Sequence, residues 1–194
     1  MKQTPETAAK SAATKVNFAF ISGLEGGPQL TGYVPDAAGS RSGVTVATGF
    51  DIGARSTGDL HRLLPAELAD KFAPYALLHG RHAATQLERL PLTISADDAE
   101  QIDLAVKSQL LTQLTGRFDA ASAEPFASLP EHAQTVIASV AFQYGNLARR
   151  CPTFWGCAVR QDWQGMLAEL NDFGDRYPTR RKREATYLQL MGDL

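Results

Sequence analysis

Residues 21–53 read ISGLEGGPQLTGYVPDAAGSRSGVTVATGFDIG, and acidic, hydroxyl and glycine residues crowd there without the periodicity that a packed core requires. Just before and into this stretch, Val16, Phe18, Phe20, Ile21 and Leu24 recur at mixed three- and four-residue spacing, which predicts a largely buried helix ahead of Glu25. Gly26-Gly27 supply the left-handed backbone of a helix C-cap, and Pro28 prevents continuation. Glu25 then sits at the negative end of the helix, where the dipole and partial burial both disfavour its anion and suit it to act as a general acid. Residues 32–35 read as a short strand, residues 36–43 as a turn, and residues 44–50 as a second strand, together a hairpin. Asp51 ends the second strand and Thr45 lies within it at even spacing, so the two are expected to share a face apart from any bulge at Gly49. One acid and a second carboxylate across a cleft are the equipment of glycoside hydrolysis.

Glu25, then GYVP at 32–35, then SGVTVATGFDIG at 42–53, resemble the muramidase domain of pesticin and its relatives, bacterial toxins with the fold of the T-even phage lysozymes. The resemblance implies that Glu25 is the general acid, that Asp51 positions or activates water, and that Thr45 completes the water site. In the phage enzymes the catalytic Asp precedes the equivalent Thr; here, as in pesticin, the matching Asp lies six residues after it. Asp36 competes with Asp51 for this role, against a plain reading as a turn residue of the Asx type. Ala47 stands where the family usually has Gly, a change that a strand can accept. VAFQYGN at 140–146 resembles the end of the buried helix of phage-type lysozymes, and YPTRRKR at 177–183 resembles their last long helix. There the family carries an Arg that pairs with the catalytic Glu, and Arg180 fits that position best. With Tyr33 and Gln143 as further sugar-facing candidates, the resemblance runs over about residues 17–192. It implies an α+β, lysozyme-like fold, a small β-hairpin lobe and a larger α-helical lobe with the active-site cleft between them.

The rest of the chain fits that expectation. A length of 194 residues with 44% hydrophobic content suits one domain in two lobes, divided as an extension or linker at 1–16, a β-containing lobe at about 17–64 and a helical lobe at about 65–194. Ser56 to Asp59 reads as a helix start, and short helices punctuated by Pro65 and Pro74 are expected to carry the chain between lobes. Ser95, followed by Asp97, Asp98 and Glu100, opens a long helix whose apolar face (Ile102, Leu104, Ala105, Leu110, Leu111, Leu114) reads as core rather than chemistry. After Leu129-Pro130-Glu131 comes a helix with almost no polar face beyond Thr135, which belongs at the centre of a helical lobe. Gln143 emerges from it, to bond either sugar or the protein's own backbone.

Several alternatives have weaker supports. Nineteen basic against 21 acidic side chains give a formal net charge of −2, so no global field draws the chain to nucleic acid or to a membrane. The five basic residues of 176–183 lack interleaved aromatics and a second basic cluster. His79 and His82 have no third ligand to complete a zinc set, so no metal or other cofactor is expected. Cys151 and Cys157 are placed either to form a clip or to remain ordinary thiols. The N-terminus lacks the apolar core of a signal peptide, and no apolar run is long enough to span a bilayer. The resemblance implies as the activity cleavage of the MurNAc–GlcNAc β-1,4 bond of peptidoglycan by an antibacterial toxin or effector, or by a phage endolysin. Its expected partners are glycan strands, an immunity protein and a secretion machinery that delivers it to the periplasm of a target cell. A glycan-binding module without catalysis is the alternative of another class.

Overall fold

The computed structural model describes residues 13–39 and 41–192. Its order is α1 (Phe18–Glu25), β1 (Gln29–Tyr33), β2 (Thr45–Ala47), β3 (Phe50–Asp51), α2 (Thr57–Leu63), α3 (Ala66–Phe72), α4 (Gly80–Arg89), α5 (Ala96–Asp119), α6 (Glu131–Tyr144), α7 (Leu147–Arg150), α8 (Pro152–Val159), α9 (Trp163–Asn171) and α10 (Pro178–Gln189). A small antiparallel sheet among many helices is the expected α+β, lysozyme-like architecture. The reading of residues 1–12 as an extension lies outside the described residues. Residues 15–17, by contrast, are tied down: the Lys15 N–H donates to Gln134 Oε1 (2.8 Å) and the Asn17 N–H to Thr135 Oγ1 (2.9 Å).

The chain divides into two compact units, Glu25–Gln109 and the segments on either side of it. This division differs from the expected one near residue 64, and packing explains why. Val44, Val46, Phe50 and Ile52 of the sheet share one core with Leu60, Leu64, Leu68, Phe72, Tyr75 and Ala83. Helices α2 to α4 thus cover the sheet instead of bridging to another lobe. Both predicted starts hold: Ser56 and Asp59 cap α2 reciprocally (3.0 and 3.2 Å), as do Ser95 and Asp98 at α5 (2.9 and 3.0 Å).

In the sheet, ordered β1-β2-β3, the single second strand expected at 44–50 is broken. The backbone turns left-handed at Ala47 (φ 50°) and Gly49 (φ 90°), so Phe50 and Asp51 return antiparallel beside β2. A Gly at residue 47 would meet this conformation without strain; the Ala found there is not the neutral strand substitution that the sequence predicts.

In the other unit α6 is the central helix, with every residue from Ala133 to Ala141 buried. Ile21, Phe118, Phe126, Phe154, Met166 and Leu188 belong to the core around it. Of α1 only Ile21 is fully buried, so that helix is less enclosed than its apolar stripe predicts. No helix among the described residues is long and apolar enough to cross a membrane.

Candidate active site

Three expected residues fall on one row. Tyr33 pairs with Thr45 across β1 and β2, and Thr45 pairs with Asp51 across β2 and β3. Directly opposed residues of antiparallel strands project to the same face, so Tyr33, Thr45 and Asp51 stand side by side. The alternating positions Val44, Val46, Phe50 and Ile52 go to the core. Thr45 and Asp51 therefore share a face as cross-strand neighbours, not as residues of one strand.

A single glycine fixes both. The Gly43 N–H donates to both Asp51 carboxylate oxygens (3.1 and 3.2 Å), and the Gly43 carbonyl accepts from Thr45 Oγ1 (3.2 Å). The Ala54 N–H adds a third bond to Asp51 (3.2 Å). A side chain at residue 43 has no space: a Cβ there would lie 2.5 Å from Gly53 Cα and 2.7 Å from Asp51 Oδ1. Arg55 closes the loop, donating to the Asp51 carbonyl (2.5 Å) and lying 4.1 Å over the Phe50 ring.

Because the Thr45 hydroxyl proton is engaged, its oxygen is left as an acceptor. The Asp51 carboxylate oxygens are acceptors too, as their bonds from Gly43 and Ala54 show. A water between the two could donate a proton to each, leaving a lone pair outward.

Glu25 ends α1, and Gly26 (φ 78°) follows in the left-handed region, as the C-cap reading requires. Its side chain is 16% exposed, with Oε2 2.8 Å from Lys107 Nζ on α5. This is an ion pair by distance. Its angles are not those of a hydrogen bond, and Oε2 is buried without a hydrogen-bond partner. Asp36, the competing carboxylate, is exposed in a turn at φ 43° and accepts from the Gly39 N–H (3.0 Å), which is the Asx-turn role.

Arg180 and Gln143 belong to a polar network in the helical unit. Arg180, expected to pair with Glu25, has its Nε 3.2 Å from Glu184 Oε1 and donates from Nη2 to Ser139. Gln143 accepts from Arg181, which also pairs with Glu184 and, at 2.8 Å, with Asp175. Arg181 and Glu184 are fully buried, so the basic run at 176–183 is not one continuous surface. Tyr144 donates to Asp175 (2.7 Å), and burial together with that bond pushes its phenol up to about 12.

Sequence reasoning missed Lys107 and Asp103, because both lie on a helix whose apolar repeat reads as core. Lys107 is 7% exposed. A lysine at a position the pattern buries was the available signal. Cys151 and Cys157 are buried free thiols, and burial pushes both up.

Comparison with known proteins agrees with the resemblance in the 21–53 stretch. No curated protein matches the chain. A family model does, over residues 15–164 and hence most of the chain, and its description is "Pesticin: Bacterial toxin homologue of phage lysozyme, C-term". Glu25 and the paired Thr45 and Asp51 lie inside the matched span, and the chain belongs to that family.

Proposed function

We propose that the chain is a muramidase that hydrolyses the MurNAc–GlcNAc β-1,4 bond of peptidoglycan with inversion, and that it serves as an antibacterial toxin or effector. Family membership supports the class of reaction. The observation that carries the mechanism is the Thr45–Asp51 pair, an acceptor hydroxyl beside a carboxylate locked by backbone N–H groups. In this reading Glu25 gives its proton to the glycosidic oxygen as the bond from that oxygen to the anomeric carbon breaks. Water held by Thr45 and Asp51 attacks the anomeric carbon from the opposite face and passes a proton to Asp51. Tyr33, 38% exposed beside Thr45, offers a ring for a sugar to lie against. The enzyme acts beyond the cytoplasmic membrane of its target, carried there by a secretion machinery and opposed in the producing cell by an immunity protein.

Turbidity loss of purified peptidoglycan tests the reaction. Glu25→Gln is expected to lower the rate by about 10²- to 10⁴-fold at a temperature where its melting curve shows the variant folded. A variant with most of its activity would remove Glu25 from the mechanism. Product stereochemistry tests the rest: inversion releases the α-anomer first, whereas a first product with the β configuration would mean that Asp51 attacks the sugar itself. Expression without export should leave cells viable and expression with an added export signal should lyse them. Killing without export would count against a wall target.

A further inference from the structure

Two charged side chains on α5 are set where the helix is otherwise apolar. Lys107 and Asp103 are four residues apart and so lie on the same side of the helix, one turn apart. Lys107 Nζ is 2.8 Å from Glu25 Oε2. Asp103 accepts from the Thr48 N–H (3.3 Å) and from the Thr48 hydroxyl. Thr48 opens the turn that folds β3 back on β2, and that turn sets the register in which Thr45 meets Asp51. One turn of α5 therefore grips the end of α1 through one charge and the tip of the hairpin through the other.

Neither contact is what an apolar core would select. A buried ammonium has given up most of its hydration, and it forms an ion pair without the angles of a hydrogen bond. An aliphatic residue of the same length would pack as well and lose no hydration. What the charge adds is an electrostatic hold on the carboxylate that ends α1.

We propose that Lys107 and Asp103 are positioning residues, Lys107 orienting Glu25 and Asp103 holding the β2–β3 turn, so that α5 sets the acid against the water site. This rests on the reading of Glu25 as the general acid. The two residues act through Glu25 and through the Thr45–Asp51 pair, and neither needs to touch substrate.

The test is a kinetic series on the full chain with soluble peptidoglycan fragments, measuring kcat and KM separately, with melting curves for every variant. Lys107→Met is expected to lower kcat by about 10- to 100-fold with KM nearly unchanged, the scale of a displaced catalytic group. Lys107→Arg, which keeps the charge, should recover most of that loss. Adding Lys107→Met to Glu25→Gln should cost nothing further, because the group being positioned is already gone. Asp103→Asn should lower kcat in the Glu25→Gln background as well, since it acts on the other half of the site. If Lys107→Met does not fold, Lys107→Gln, one atom shorter than Lys, keeps a donor without the charge, with the same expectation. A kcat for the uncharged variant within twofold of wild type, a change in KM alone, or an uncharged variant as active as Lys107→Arg would overturn the proposal while Glu25→Gln stays inactive. A fully active Glu25→Gln would instead overturn the functional reading, and this inference with it.

Discussion

Gly43 has neighbours on every side that matter: Gly53 below it, the Asp51 carboxylate beside it, and the Thr45 hydroxyl on its carbonyl. Gly43→Ala must displace backbone or the carboxylate. It is expected to cost about 1–3 kcal/mol of stability and at least tenfold in peptidoglycan hydrolysis; a fully active, equally stable variant would show that the close approach is not needed. Ala47 offers the opposite experiment. Ala47→Gly relieves a positive-φ alanine but loses a buried methyl and gains chain entropy, so its melting temperature should stay close to that of the parent. Ala47→Val puts a branched side chain into the same conformation and should lose at least about 1 kcal/mol by denaturant titration. Glu25, Thr45 and Asp51 could be named as candidates from the sequence because one short segment carries them among turn residues, and the Thr45–Asp51 pairing puts two of them side by side. Lys107 and Asp103 could not, since a contact 82 residues or 55 residues away leaves no mark on local spacing.

At the level of elements, periodicity located most helices and caps but not the strand break. Strand periodicity carries through VTVATGFD unchanged, and only backbone angles show that it folds in two at Thr48-Gly49. The α6–α10 pairing likewise leaves no mark on local spacing. Its inward-facing polar groups satisfy one another: Arg181 with Asp175, Glu184 and Gln143, and Ser139 with Glu184. Arg181→Met leaves Glu184 buried with one fewer cation and should destabilise the protein by about 3–5 kcal/mol. Chemical denaturation reads this directly, and a loss below about 1 kcal/mol would mean that the network is dispensable.

For the whole molecule, acid loosens the fold through Asp175. Burial, the largest single influence, pushes the Asp175 carboxyl up, but bonds from Tyr144, Arg181 and the Tyr177 N–H together outweigh it and hold it below the usual aspartate range. A carboxyl that binds its proton more weakly folded than unfolded stabilises the fold above about pH 4 and loses that contribution as the pH falls through its folded value. Asp175→Asn should therefore flatten the fall of melting temperature as the pH drops below about 4 and lower stability at neutral pH. An unchanged acid profile would exclude Asp175 as its source. The division of the chain was less legible than its helices, because which helices cover a sheet depends on packing between distant segments and not on where a linker-like sequence falls.

The cross-strand pairing of Thr45 with Asp51 has one more consequence. A two-stranded ribbon can be traversed in either direction, so the proposed mechanism asks only for an address on the ribbon and is indifferent to which residue the ribosome adds first. A pattern written as a linear string with Asp before Thr passes over this arrangement; one written as two facing rungs of a ladder finds both orders.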